Sequence, residues 1–359
     1  MTLTDRLDSY LSENELAAVW VARPANFAWL TGGDNVVDRD SDIGVAAAGY
    51  DGDDVTVVTN NIEAPRLRAE ELDDGVEVDS VAWHESTLAE AVAERSPRPA
   101  AADFEVPGFD TVDPAGLRQP LTADQRERYR ELSGAVAAAV EDVARSAESN
   151  DTEAGVAARL RAALAEKDVT APVVLVGGAE RAQQYRHYTP TSSRLGGYAL
   201  LSVTAQRGGL HTSCSRTVAF DPPSWLAERT HAAARVEVTA LAATRAAGRD
   251  AGTAGDVFAA IRQAYDAVGW DGEWRNHHQG GAAGFAGREW IATPESDHAV
   301  RVPQGYAWNP TVKGAKSEDT YLVSADGVEL LSTTGDWPTR TVHAVGFGLS
   351  LDRPAVLRR

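Results

Sequence analysis

The feature that most constrains this chain of 359 residues is the glycine-rich stretch at residues 277–289, which reads HHQGGAAGFAGRE. Four glycines and three alanines fall within these thirteen positions. Such a composition neither propagates a good helix nor fills a core, so the backbone here closely approaches another part of the structure. Two histidines open the stretch and an Arg-Glu pair closes it. Titratable groups at both ends of a small-residue bend indicate a pocket wall, although a tight crossing of strands selects the same small residues.

The length of the chain indicates how many domains it forms, and its charge restricts the partners that it can bind. At 359 residues we expect two domains with ample buried surface. The formal net charge is -19, and of 34 basic residues only Lys167, Lys313 and Lys316 are lysines. Nucleic acid and anionic membranes are therefore poor partners. An acidic, lysine-poor surface is typical of a protein kept soluble in concentrated salt, so we expect a halophilic origin.

Cys214 is the only cysteine, so neither an intrachain disulfide nor a site built from several cysteines can form. The first residues lack a basic region followed by an apolar run, and no run of apolar residues is long enough to span a bilayer. We expect a cytoplasmic protein with neither a signal peptide nor a membrane span.

The first 118 residues alternate between strand and helix patterns, which predicts a small α/β domain. Pro24, Ala25 and Asn26 interrupt the pattern, and a cluster of proline, glycine and aspartate at 107–120 marks the domain boundary. The predicted helices are 3–14, 63–72 and 85–94, and the predicted strands are 16–21, 76–81, 100–104 and two within 43–58 that form a hairpin.

Residues 119–340 form the second predicted domain, and residues 341–359 are expected to be a polar tail. The predicted helices of the second domain cover 122–147, 153–167, 224–244 and 254–268. Its predicted strands are 173–176, the long hairpin 198–204 with 210–220, and short strands within 291–331.

Five motifs occur in an order that resembles the superfamily of aminopeptidase P, prolidase, methionine aminopeptidase and creatinase. They are His187-Tyr188-Thr189-Pro190-Thr191, Ser213-Cys214-Ser215-Arg216-Thr217, His277 to Glu289, Trp308-Asn309-Pro310 and Ser317-Glu318-Asp319-Thr320. Residues 26–32 also resemble the non-catalytic domain of aminopeptidase P and creatinase. The resemblance implies an α/β (α+β) fold, with a pita-bread catalytic domain after a smaller α/β domain, and a homodimer.

The peptidases of this superfamily hold two divalent ions, and the resemblance locates the five ligand positions one at a time. The two aspartates fall on Ser202 and Ser213, the histidine on Gly281, and the two glutamates on Asn309 and Glu318. Only Glu318 is retained. Because one carboxylate cannot neutralise two divalent cations, we expect no metal and no other cofactor.

Other positions of the superfamily survive. His187 matches a substrate-side histidine that is the acid/base in creatinase, and His277 also has a creatinase counterpart. Arg288, followed by Glu289, stands where creatinase grips a substrate carboxylate. Glu318 matches a glutamate with which creatinase holds a cationic group.

At Ser215 creatinase has a second cation-binding glutamate, so creatine itself is not expected as the substrate. The resemblance implies catalytic roles for His187, His277 and Glu318. It implies substrate binding by Arg288, Glu289 and Ser215.

Each of these residues can also have a purely structural role in place of a catalytic or binding one. His187 can be a loop histidine satisfied by backbone groups, Arg288 can form a structural ion pair, and Glu318 can pair with Lys316. On an extended strand only one of two adjacent histidines faces the site, which favours His277 over His278. The same alternation points Cys214 away from the site.

Three functions stay open. The first is a metal-independent, creatinase-like hydrolase that cleaves a C–N bond in a small carboxylate-bearing or dipeptide-like substrate. The second is an Xaa-Pro aminopeptidase or prolidase with an altered metal site. The third is a catalytically inactive relative that binds a ligand without turnover.

Overall fold

The computed structural model describes residues 2–359, and the chain divides after Thr122 into two compact units. Both units mix helices with sheets, so the predicted α/β class is confirmed. In the described part of the chain no helix is long and apolar enough to cross a membrane.

The first unit is built on a six-stranded mixed sheet in the order β4-β3-β2-β1-β5-β6. Its strands are β1 (Ala18–Val21), β2 (Ala46–Tyr50), β3 (Val55–Asn60), β4 (Glu77–Val81), β5 (Ala100–Ala102) and β6 (Asp110–Thr111). Its helices are α1 (Leu3–Glu13), α2 (Pro24–Thr31), the short α3 (Ala64–Arg66), which continues as a π-helical turn at Leu67–Glu71, and α4 (Leu88–Arg95).

Helix α2 and strand β6 of this unit were not predicted from the sequence. Pro24 was expected to break the pattern, whereas it opens helix α2. A proline is tolerated in the first helical turn because its missing N–H has no partner there in any helix. Gly32 ends the helix in a left-handed conformation, with φ of 82°.

The second unit, Ala123–Arg359, holds two principal sheets flanked by long helices. The helices are α5 (Ala123–Ser146), α6 (Glu153–Ala165), α7 (Ala179–Gln184), α8 (Leu226–Arg249) and α9 (Ala254–Ala267), with a 3-10 turn at Glu273–Asn276. The four-stranded sheet, in the order β19-β9-β8-β7, contains β7 (Thr170–Gly178), β8 (Tyr198–Arg207), β9 (Leu210–Ala219) and β19 (Leu357–Arg358). The five-stranded sheet, in the order β11-β10-β12-β15-β16, contains β10 (Gly280–Ala283), β11 (Trp290–Ile291), β12 (Gln304–Trp308), β15 (Asp319–Val323) and β16 (Val328–Leu330). Two hairpins complete the unit: β13 (Thr311–Val312) with β14 (Ala315–Lys316), and β17 (Thr339–His343) with β18 (Ser350–Pro354).

The glycine-rich stretch becomes β10, an interior strand of the five-stranded sheet. Its residues have no bulky side chains, and the backbones of β11 and β12 pack directly against it. A Cβ at Gly280 would lie 2.2 Å from the oxygen of Ala307, and Gly280 itself adopts φ of 96°. The close approach that its composition predicts is therefore a contact between neighbouring strands.

The C-terminal segment is not a tail. Residues 339–358 form β17, β18 and β19, and Arg353 in β18 is only 1% exposed. Its guanidinium lies 2.7 Å from Glu237 Oε2 on α8 and 2.7 Å from Asp319 Oδ2 on β15. This segment is polar in composition, yet it contains one fully buried arginine with two carboxylate partners.

Asp319 joins Arg353 to a second buried arginine. Arg216 on β9 contacts Asp319 Oδ1 at 2.9 Å and Glu141 Oε1 on α5 at 2.9 Å. Burial raises the pKa of Glu237 above its usual range, and the nearby Arg353 acts in the opposite direction. We call these five residues, Glu141, Arg216, Glu237, Asp319 and Arg353, the buried ion network.

Removing one member of this network should be costly. Arg353→Met leaves Glu237 and Asp319 buried with fewer cations, so we expect a loss of about 3–5 kcal/mol of unfolding free energy, measured by chemical denaturation. Arg340→Met is the matched control, because Arg340 pairs with Arg353 across the hairpin but is exposed. Equal stability of the two variants would contradict a structural role for the network.

Candidate active site

Glu318 immediately precedes β15 and is the centre of a buried ion triplet with Lys316 and Arg288. Lys316 Nζ lies 2.7 Å from Glu318 Oε2, and Arg288 Nη2 lies 3.0 Å from Oε1. Ser215 Oγ donates a further hydrogen bond to Oε2 at 2.9 Å. Burial alone would raise the pKa of Glu318, but the two cations outweigh it and lower the pKa to about 2. Glu318 is therefore a permanent carboxylate held by cations of the chain itself.

The two serines at the aspartate positions are satisfied by neighbouring hydroxyl groups. Ser202 Oγ lies 2.7 Å from Ser215 Oγ and 3.0 Å from the hydroxyl of Tyr188. Ser213 Oγ lies 2.9 Å from Thr204 Oγ1 and accepts from Arg288 at 3.3 Å. Uncharged hydroxyls thus stand on both strands of the hairpin where the resemblance places metal-binding aspartates.

The other two ligand positions fit metal no better. At Gly281 a Cβ would lie 2.0 Å from the backbone oxygen of Trp290, so the packing leaves no room for a histidine. Asn309 is 3% exposed, and its Oδ1 has no hydrogen-bond partner among residues 2–359. An amide oxygen in this setting accepts an N–H donor and carries no charge to offset a dication.

Three imidazoles meet beside the ion triplet. His277 Nε2 lies 3.2 Å from His187 Nε2, and the rings of His277 and His278 are 4.5 Å apart. The preference for His277 over His278 as the residue that faces the site is wrong, because both residues precede β10, which begins at Gly280, and strand alternation does not govern them. His278 lines the cavity, while His277 is buried behind it.

His277 and His278 stay neutral over a wide pH range. Burial, followed by the charge of Lys316, lowers the pKa of His277 to about 2. Burial and the charge of Arg288 lower the pKa of His278 to about 4. A neutral His277 can either donate to His187 or accept from it, so it can orient the His187 ring.

These groups surround one cavity of about 690 Å³. Its polar lining contains His187, His278, Arg288, Asn309, Lys316 and Glu318. A second, more open groove of about 1070 Å³ also reaches His187. The cavity therefore brings together histidines and fixed cations, which are groups suited to proton transfer and to anion binding.

The remaining residues that the sequence singles out lie around the cavity. Glu289 accepts the N–H of Phe285 at 2.9 Å and so closes the glycine-rich bend. Cys214 is fully buried, and burial raises the pKa of its thiol. Sequence reasoning missed Lys316 as a site residue and His278 as a cavity residue. The signal for Lys316 was its rarity, since it is one of three lysines and stands two positions before Glu318.

One group of three in the described chain has the spacing of a metal site. His187, His277 and His278 each offer a nitrogen within 4.8 Å of the others. Imidazole nitrogens suit zinc, copper or nickel. A dication there would face Lys316 and Arg288, whose charges already act on these imidazoles, so the surroundings oppose it.

Comparisons with known proteins agree on the fold. Residues 127–325 match the sequence profile of metallopeptidase family M24. A search of curated proteins finds no match.

Among solved structures, the prolidase from Pyrococcus furiosus is similar with a TM-score of 0.73 at 17% identity, covering 91% of this chain and 99% of that one. The Xaa-Pro dipeptidase from Bacillus anthracis is similar with a TM-score of 0.75 at 14% identity, covering 99% of both chains. The N-terminal domain of FACT complex subunit SPT16 from Cicer arietinum is similar with a TM-score of 0.65 at 13% identity, covering 93% of this chain and 97% of that one. The resemblance to the prolidase and aminopeptidase superfamily, with its pita-bread fold, is confirmed.

The packing at Gly281 gives a direct test of this geometry. Gly281→Ala forces a methyl group against the backbone of Trp290, and we expect overpacking to cost about 1–3 kcal/mol of stability. Gly287→Ala is the matched control, because a Cβ there meets only the methyl group of Thr204 at 3.6 Å. Thermal unfolding of both variants should separate them, and a fully stable Gly281→Ala protein would show that the position has room for a side chain.

Proposed function

The chain belongs to metallopeptidase family M24, whose profile covers more than half of it, and from that premise we propose a hydrolase that works without the family's metal pair. It cleaves a C–N bond in a small, carboxylate-bearing substrate, as creatinase does. One observation carries the proposal: Lys316 and Arg288 are fixed on Glu318, the one retained carboxylate of the ligand set. The chain supplies its own two positive charges where the resemblance locates metal.

A dinuclear metal centre does not fit these residues. Two serines and an asparagine bring no charge, Gly281 has no room for a side chain, and Glu318 already neutralises cations. Divalent ions placed there would meet an ammonium and a guanidinium at close range, which is strongly unfavourable in a buried site. No step of the proposed chemistry therefore uses a metal.

Lys316 and Arg288 are suited to bind anionic groups of the substrate. Lys316 uses one of its three N–H donors on Glu318, and the others are available at the cavity wall. Arg288 also lines the cavity, with Nη1 held by Ser213 Oγ and by its neighbouring backbone oxygen on Gly287. These hydrogen bonds fix the guanidinium before a ligand arrives, which favours tight carboxylate binding.

His187 is the proposed acid/base. It lies at the junction of the cavity and the open groove, and the neutral His277 orients it. His187 takes a proton from water, whose oxygen bonds to the substrate carbonyl carbon. The same proton then passes to the leaving nitrogen as the C–N bond breaks, which yields a carboxylic acid and an amine.

Asn309 supports a substrate that carries an N–H. Its Oδ1 is buried at the cavity and lacks a partner among the described residues, so it costs free energy until a donor reaches it. An amide N–H or a neutral leaving amine supplies that donor. Glu318, by contrast, holds cations of the chain and not the substrate's cationic group that the resemblance implies.

A second function is a binding module without turnover. The contacts of Glu318 with Ser215 and Arg288 favour it, because they hold the one retained carboxylate of the ligand set in place and leave it no part in a reaction. Ligand binding with no hydrolysis over a broad substrate panel would select this alternative. The homodimer stays a prediction in either case.

Metal content tests the absence of the metal pair. We expect purified protein to carry much less than about one divalent ion per chain by elemental analysis, because four of the five ligand positions have no ionisable donor. About two manganese, cobalt or zinc ions per chain would reject the proposal. One zinc per chain that is lost in His278→Ala would reject metal independence as well, and would locate the ion at the histidines.

Kinetics of two variants test the assignment of roles. Amine release should be followed on a panel of N-acyl amino acids and dipeptides. His187→Ala should lower turnover roughly a hundred- to ten-thousandfold with binding nearly unchanged, because it removes the acid/base. Arg288→Ala should raise the Michaelis constant more than it lowers turnover, because carboxylate binding is uniform between ground and transition states.

The matched control for His187→Ala is His84→Ala, which changes an exposed histidine in the first unit. It should leave the kinetics at wild-type values. A fully active His187→Ala protein would refute the mechanism.

A further inference from the structure

The charge of the cavity is opposite to that of the chain. The protein has a formal net charge of -19, yet the cavity is lined by three basic side chains, Arg161, Arg288 and Lys316, and by one carboxylate, Glu318. Low-dielectric walls focus such a local field and favour anionic ligands. Glu318 offsets part of the charge of Arg288 and Lys316. The third basic side chain is not paired with Glu318.

Arg161 is that third cation. It lies on α6, is exposed, and has neither an ion pair nor a hydrogen bond with any residue of the described chain. Two positions earlier on the same helix, Arg159 contacts the carboxylate of Asp151 at 2.5 Å. In a chain rich in acidic residues, a guanidinium at the cavity mouth without a carboxylate partner is available to a ligand.

An apolar wall completes the cavity lining. Pro172, Val173 and Ile291 belong to it, together with Val174, Leu175, Pro190 and Val203. Val173 is 41% exposed and Ile291 is 40% exposed, which is unusual for large apolar side chains in the protein. The volume of about 690 Å³ also exceeds what a single small carboxylate needs and lies in the range of larger ligands.

We propose that Arg161 binds a second carboxylate, so that the substrate is an elongated amide with an apolar middle and an anionic group at each end. Arg288 and Lys316 bind the carboxylate at one end of the substrate, and Arg161 binds the carboxylate at the other end. The inference rests on the proposed function, because it takes the first anionic subsite from it. The chemical class is an N-acyl amino acid whose acyl chain ends in a carboxylate.

Binding of simple acids tests the second subsite without requiring turnover. Adipate and hexanoate have the same chain length, and only adipate has two carboxylates. By calorimetry at matched ionic strength, we expect wild-type protein to bind adipate roughly three- to tenfold more tightly than hexanoate. Arg161→Gln should remove this preference and leave hexanoate affinity unchanged.

Arg249→Gln is the matched control, because it removes an equally exposed arginine at the end of α8. It should keep the preference for adipate. Equal wild-type affinities for the two acids would overturn the second subsite while leaving the first intact, and so would a preference that survives in Arg161→Gln. Failure of both acids to bind would count against the proposed function together with this inference.

Discussion

The buried ion network is the interaction on which the site depends. Asp319 contacts both Arg216 and Arg353, and so links β15 to β9 and to the C-terminal hairpin. Neighbouring residues on a strand face opposite sides of a sheet, so with Arg216 in the network Ser215 faces the other side, where its hydroxyl contacts Glu318. Glu318 adjoins Asp319 at the start of β15 and lines the cavity. A backbone hydrogen bond of 2.8 Å from Ser215 N–H to the Glu318 oxygen fixes the same pair of strands. The network thereby sets the geometry of the ion triplet.

In the proposed mechanism, cations that belong to the chain take the place of bound metal ions. The resemblance places a pair of metal ions at this position, and the proposal assigns their charge to Lys316 and Arg288, which form ion pairs with Glu318. Such cations need neither a binding equilibrium nor charged ligands, and the proposal is consistent with the serines at two positions where the resemblance places aspartates. They can bind anions and stabilise developing negative charge. They cannot acidify a bound water as a metal ion does, so the proposed mechanism assigns the activation of water to His187.

Much of this structure could be predicted from local sequence patterns and from the order of the motifs. Most of the helices, the long hairpin and the cavity positions of His187, Arg288 and Glu318 follow from periodicity and from the resemblance, whereas helices α2 and α7 were not predicted. The C-terminal strands did not, because the burial of Arg353 depends on partners 34 and 116 positions away in the chain. The placement of His278 also escaped prediction, because His277 and His278 precede β10 and strand alternation does not apply to them. Lys316 was read only as a possible partner of Glu318, because a sequence does not reveal which cations share one cavity.

The central claim is that the chain's own cations occupy the place of the family's metals. It is tested most directly by a crystal structure determined from crystals grown in millimolar manganese, with anomalous diffraction data collected at the absorption edge of manganese. We predict no anomalous peak beside Glu318, and Lys316 Nζ in contact with the Glu318 carboxylate. A pair of manganese peaks at Glu318 and Asn309, with Lys316 displaced from the carboxylate, would contradict it.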